Sequence, residues 1–116
     1  MSQLQSQLQS LRSVAVADTD PPVNNTDDAA FATRNNERVR VAVVTTDAVT
    51  IQPLWWDETS GNWYRDLDQE KEITASGLYI FDVAVLGPAC YMLVTELAAD
   101  ATAELSYALV KTRYWG

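Results

Sequence analysis

The chain has 116 residues, a formal net charge of −8 at pH 7 and a hydrophobic fraction of 47%, which is typical of one globular domain. Its eight basic residues are scattered along the sequence, so a phosphate-binding surface for nucleic acid is not expected. There is no apolar run of transmembrane length and no signal-peptide pattern at the N-terminus, so no membrane association is expected.

The residue types that most catalytic sites use are missing or poorly placed. Histidine, the commonest general base and transition-metal ligand, does not occur. The single cysteine, Cys90, lies in an apolar run and is expected to be a small buried hydrophobe. Acid pairs such as Asp66 and Asp68 lie in a polar stretch that is typical of a solvated loop. The sequence therefore predicts a protein that is not an enzyme and has no catalytic, cofactor or metal site.

The N-terminal residues 2–11 contain the unit Ser-Gln-Leu-Gln twice. Leu4, Leu8 and Leu11 fall at i, i+4 and i+7, which predicts one apolar stripe on a helix. A helix this short is marginal in water when it is isolated. The segment is therefore expected to be a disordered terminus, an arm that docks on a partner, or a short helix that associates with its own copies.

Residues 17–36 are rich in Asp, Asn and Pro, a composition that favours a linker. The Asp residues here are spaced somewhat like those of a calcium-binding loop, but the glycine and the closing glutamate of such a loop are absent, so a calcium site is not expected. Phe31 is the one aromatic residue here and is expected to anchor the linker on a surface. We therefore predict that residues 1–36 are an arm and linker, dispensable for folding, and that residues 37–116 form the folded domain.

From Val39 onwards, apolar residues alternate with polar ones, and turn-forming residues recur every 8–12 positions. This pattern predicts an all-β fold, a small antiparallel β-sandwich or jelly roll. Pro53 predicts that its strand is at an edge or bends. Apolar residues lie on both faces of the run that begins at Gly77, so residues 77–97 are predicted to be a central hairpin that turns at Gly87–Pro88.

An aromatic cluster stands at the end of another predicted hairpin: Trp55 and Trp56 on one strand, and Trp63 and Tyr64 on the next. Adjacent residues in a strand point to opposite faces, so one tryptophan serves the core and the other needs a different cover. That cover is a contact within the chain, a protein interface or a sugar-stacking platform.

The layout of a Gln/Ser/Leu arm, an Asp/Asn/Pro linker and a compact acidic β domain resembles the small decoration (cement) proteins of tailed-bacteriophage capsids. The resemblance implies a homotrimer made in the host cytoplasm that sits on the outside of the virion, binds the major capsid protein and has no catalytic residues. The alternatives are a carbohydrate-binding or host-adhesion module, and a head-completion or tail-adaptor subunit. The residues expected at protein interfaces are Leu4, Leu8, Leu11, Phe31, Trp55, Trp56, Trp63 and Tyr64.

Overall fold

The computed structural model describes residues 8–26 and 29–111, and within these ranges it is an all-β protein, as predicted. One short 3₁₀ helix, Leu67–Gln69, is the only helical element of the described ranges. The strands are β1 (Gln9–Val14), β2 (Phe31–Ala32), β3 (Arg38–Thr45), β4 (Val49–Asp57), β5 (Asn62–Tyr64), β6 (Lys71–Ile73), β7 (Gly77–Ala84), β8 (Ala89–Leu97) and β9 (Ala103–Val110).

The strands form two antiparallel sheets that pack as a small β-sandwich. Sheet I has the order β1-β9-β3-β7, and sheet II has the order β2-β8-β4-β5, with β6 also paired to β4. Strands β5 and β6 pair with the two ends of β4, on the edge that faces away from β8. Alternate side chains from both sheets meet in one core, which includes Val39, Val41, Val43, Ile51, Trp55, Val83, Met92, Val94 and Leu105.

The stretch of residues 77–97 is not a hairpin, which corrects the prediction. Strand β7 lies at the edge of sheet I, whereas β8 lies inside sheet II, so the connection at Gly87–Pro88 crosses between the sheets. Gly87 passes so close to β4 that an added Cβ would lie 3.0 Å from the backbone oxygen of Trp56. A Gly-Pro pair marks a change of chain direction, and it does not distinguish a hairpin from a crossing between sheets.

The N-terminal part of the chain belongs to the folded domain, so the predicted boundary between residues 36 and 37 does not separate an arm from it. Strand β1 pairs with β9, and β2 pairs with β8. Val14 and Phe31 are buried in the core, and the Phe31 ring stacks on Tyr107 with 3.9 Å between the centroids. Leu11 lies in strand β1, so the predicted helix is wrong at this position. Strand β9 supplies hydrogen-bond partners for the backbone here, whereas a short isolated helix is only marginally stable.

Residues 15–26, which we call the strap, lead from β1 past β8 to Trp63, which lies on the outer face of sheet II. The backbone N–H of Asp18 donates to the Val94 oxygen at 2.8 Å, and the Val94 N–H donates to the Asp18 carboxylate at 2.8 Å. Trp63 Nε1 donates to the Pro22 carbonyl oxygen at 2.9 Å. The strap is thus fixed to sheet II at two points.

A chain that starts near Asn36 is expected to lose its cooperative thermal unfolding. This truncation removes β1, β2 and the strap, and it exposes apolar groups on both sheets. Circular dichroism of the shortened and full chains during heating measures the effect. An unchanged melting temperature would show that residues 1–36 contribute nothing to the core.

Phe31→Ala separates this packing effect from the loss of chain length. We expect it to lower the free energy of unfolding by about 3–5 kcal/mol, because a buried ring leaves a cavity. Val16→Ala is the matched control, since Val16 lies on the strap and is exposed. The control is expected to stay within about 0.5 kcal/mol of the parent in urea unfolding.

Candidate protein-binding surface

The two adjacent tryptophans point to opposite faces of β4, as predicted, but neither is available to a partner. Trp55 is fully buried in the core, and its Nε1 donates to Oε1 of Gln69 at 2.7 Å. Trp56 is also buried, and it meets Trp63 edge to face with 5.1 Å between ring centroids. The interface prediction is therefore wrong for both, because contacts within the chain cover them.

The partner strand of this hairpin is less enclosed. Trp63 is partly buried between Trp56 and Tyr91, and the ring centroids of Trp63 and Tyr91 are 6.1 Å apart. Tyr64 is 42% exposed, and its hydroxyl donates to the carbonyl oxygen of Leu86. Phe31, the remaining aromatic residue of the predicted interface set, is buried. Of the predicted aromatic residues, Tyr64 alone is exposed.

The predicted leucine stripe is not a free surface in the described part of the chain. Leu4 lies outside the described residues, Leu8 is partly buried, and Leu11 packs against the core. The neighbouring Arg12 fastens β1 to the strap: its Nη2 is 2.6 Å from the Asp18 carboxylate. Its guanidinium also lies 5.1 Å from the Tyr91 ring centroid and donates to the Tyr91 hydroxyl.

The outer face of sheet I carries a surface that the sequence analysis did not assign. Leu78 and Ile80 on β7 are 67% and 58% exposed, and Val44 on β3 is 51% exposed. Val44 pairs directly with Leu78, and Ala42 pairs with Ile80, so these side chains are neighbours. We call Val44, Leu78 and Ile80 the apolar patch. Adjacent exposed apolar side chains are typical of an interaction site, whereas single scattered ones are ordinary.

An ion cluster borders the apolar patch on the same face. Arg40 donates to both Asp82 oxygens, with Nε and Nη2 at 2.8 and 2.9 Å, and Arg38 Nε is 3.7 Å from the same carboxylate. The hydrogen bonds from Arg40 hold the pKa of Asp82 below its ordinary value of 3.8. The same hydrogen bonds raise the pKa of Arg40. The acid is thus neutralised by its neighbours, and the patch ends in paired charges.

The signal for this surface was present in the sequence. Leu78, Ile80 and Ala84 share one face of β7, as the alternation predicts. The apolar residues on both faces, however, predict a central strand that is covered on each side. The strand is instead at an edge with its outer face in solvent. Alternation indicates which residues share a face, but it does not show what covers that face.

The described residues offer little for metal or thiol chemistry. Within them, no three His, Cys, Asp or Glu side chains come together in a way that could hold a metal ion. Cys90 is fully buried, as predicted, and burial raises the pKa of its thiol. Among the same residues, no helix has the length and apolar character needed to cross a membrane.

Acid is expected to weaken the fold through Asp82. Because its pKa is depressed in the folded state, its contribution is complete above about pH 4 and is lost as pH falls through the folded-state pKa. We expect Asp82→Asn to reduce the free energy of unfolding by about 1 kcal/mol at pH 7 and to show a smaller loss below about pH 4. Urea unfolding across this pH range, with the exposed Glu104→Gln as control, measures the effect. Parallel pH profiles for Asp82→Asn and the parent would remove the ion cluster from the pH response.

The chain was compared with protein-family models, with curated proteins and with solved structures, and none of the three comparisons found a match.

Proposed function

We propose that this chain is a structural, non-catalytic protein that attaches to the outside of a phage capsid and binds the major capsid protein. The observation that carries the proposal is the apolar patch of Val44, Leu78 and Ile80. The choice of a capsid as the binding partner rests on the sequence resemblance to phage decoration proteins, of which the compact acidic β domain remains, whereas β1 and β2 belong to that domain and not to a separate arm.

The two outer faces of the sandwich differ in a way that supports attachment through sheet I. The outer face of sheet II buries Leu54, Tyr91 and Leu93, with Trp63 and residues 29–30 packed against them. The outer face of sheet I leaves the side chains of Val44, Leu78 and Ile80 largely in water. A stable fold gains nothing from that exposure, whereas a binding protein uses it when its partner arrives.

The strength expected of one such contact suits an assembly with many copies. Burial of the remaining exposed area of three aliphatic side chains contributes roughly 3–5 kcal/mol before the costs of association. A single contact of this size is weak. Linked or neighbouring copies on a shell convert weak contacts into tight attachment through effective concentration.

In this proposal, the protein is made in the host cytoplasm and is then attached to the virion surface. The resemblance implies a homotrimer, and the mass of the protein in solution distinguishes this trimer from a dimer independently of capsid binding. A glycan-binding module would use Tyr64, the accessible ring of the aromatic cluster. A head-completion or tail-adaptor subunit would assemble as a ring.

Co-sedimentation with shells assembled from the major capsid protein of the same virus tests the proposal. We expect the parent chain to sediment with the shells, and we expect Leu78→Lys to bind at least about tenfold more weakly, because it places a charge in the apolar patch. Val23→Lys is the matched control, since it makes the same charge change at a side chain that is 92% exposed on the strap.

Two results would contradict the proposal. A parent chain that stays in the supernatant would end the capsid assignment, and binding to immobilised glycans in that case would favour the adhesion alternative. Equal loss of binding for Leu78→Lys and Val23→Lys would remove the apolar patch from the attachment.

A further inference from the structure

We infer that the open edge of β7 pairs with β7 of a second copy of this chain, so that two four-stranded sheets join across a two-fold axis. The pairing rests on the geometry of β7 and on its side-chain pattern. It also deepens the proposed function, and its use in capsid attachment rests on that proposal.

Strand β7 is the last strand of sheet I, and among the described strands it pairs with β3 alone. Its register with β3 runs from Gly77 to Ala84 without a bulge. The far end of its free edge is covered, because Gln69 Nε2 donates to the Ala84 oxygen at 2.9 Å and Lys71 Nζ lies 5.5 Å from the Phe81 ring. The uncovered part of the edge therefore coincides with Leu78 and Ile80.

The hydrogen bonds at the end of β7 show which backbone groups face the free edge. The Val85 N–H donates towards β3, to Glu37, at 2.9 Å, whereas the Ala84 oxygen points the other way, to Gln69. Alternate residues of a regular antiparallel strand point in the same direction. The N–H and C=O groups of Leu78 and Ile80 therefore point towards the free edge and can accept a further strand.

This part of the edge lacks the features that usually prevent pairing. Natural edge strands are protected by proline, by charged side chains, by bulges or by a covering segment. The run from Leu78 to Phe81 contains no proline and no charge. Its apolar side chains Leu78 and Ile80 are exposed on the outer face. An edge of this kind favours β-strand addition.

A second copy is the occupant that this edge fits. In an antiparallel pair centred on Tyr79, Leu78 of each copy lies opposite Ile80 of the other, so apolar residues meet on the same face. Asp82 then lies opposite Ser76, and no like charges are opposed. A register centred one residue later would place Asp82 opposite Leu78. The register centred on Tyr79 therefore pairs Leu78 with Ile80 on both sides of the axis, even though each copy carries a net charge of −8.

The area available argues for a reversible dimer. Three exposed side chains fall well short of the roughly 800 Å² per partner of a standard stable interface. Strand pairing adds roughly four backbone hydrogen bonds and brings the two apolar patches together across the axis. The dissociation constant is expected to be on the order of micromolar or weaker. The joined patches form one larger apolar surface for attachment to a shell.

Sedimentation equilibrium of the full chain over a range of concentrations tests the pairing. The mass is expected to rise from 12.9 kDa to about twice that value. Ile80→Pro removes an N–H that points to the free edge and costs no bond to β3, so it blocks pairing and keeps the domain folded. Ile80→Lys adds a charge at the same position. Both variants are expected to associate at least about tenfold more weakly, and Val23→Lys is expected to associate like the parent.

The inference is wrong if the parent stays at 12.9 kDa at every concentration, if it forms a trimer, or if a folded Ile80 variant associates like the parent. Circular dichroism establishes the fold of each variant, and Ile80→Lys decides the matter if Ile80→Pro does not fold. If the parent is a dimer that does not sediment with shells, the pairing stands and the capsid proposal is wrong. If the parent is a monomer that sediments with shells, the pairing is wrong and the capsid proposal stands.

Discussion

Burial of β4 on both faces is the constraint on which the architecture depends. Every residue from Val49 to Trp56 is buried, so the sandwich needs a cover on each side of this strand. Sheet I covers the inner face, and Trp63, Ala29 and Ala30 pack over the outer one, where the strap is hydrogen-bonded to Trp63 through Pro22. Part of that cover comes from the N-terminal part of the chain itself, through Ala29 and Ala30. The polar composition of the strap suits this position, because one side meets sheet II and the other meets water.

Much of the fold could be predicted from local patterns, and the parts that could not are those set by distant segments. The two-residue period after Val39 indicates the strands and their inward faces correctly. Strand β1 escaped detection because its apolar residues also match a helical spacing, and only the edge of β9 decides between the two. Phe31, predicted to anchor a linker on a surface, is buried because its ring stacks on Tyr107, which is far away in sequence.

The position of Pro53 in the sheet differs from the prediction. Proline lacks the backbone N–H that a hydrogen bond to a neighbouring strand needs, so Pro53 predicts an edge strand or a bend. Strand β4 instead lies inside sheet II, but Pro53 falls opposite the gap between β5 and β6. Its carbonyl oxygen accepts a hydrogen bond from Gln52 Nε2 at 3.1 Å, and the same nitrogen donates to the Asp66 oxygen at 3.1 Å. Proline therefore still occupies an unpaired edge position, but that edge is only the short stretch of β4 between β5 and β6. Sequence alone does not show this gap.

The pairing of β1 with β9 has a consequence for how the molecule is made. Gln9 lies beside Tyr107, so the first and last strands of the described chain are neighbours. Sheet I therefore cannot close until β9, which follows all of its other strands in sequence, has emerged from the ribosome. Loop closure over nearly the whole chain also favours slow folding. During that interval the side of β3 that β9 later covers stays unpaired, and so does β1.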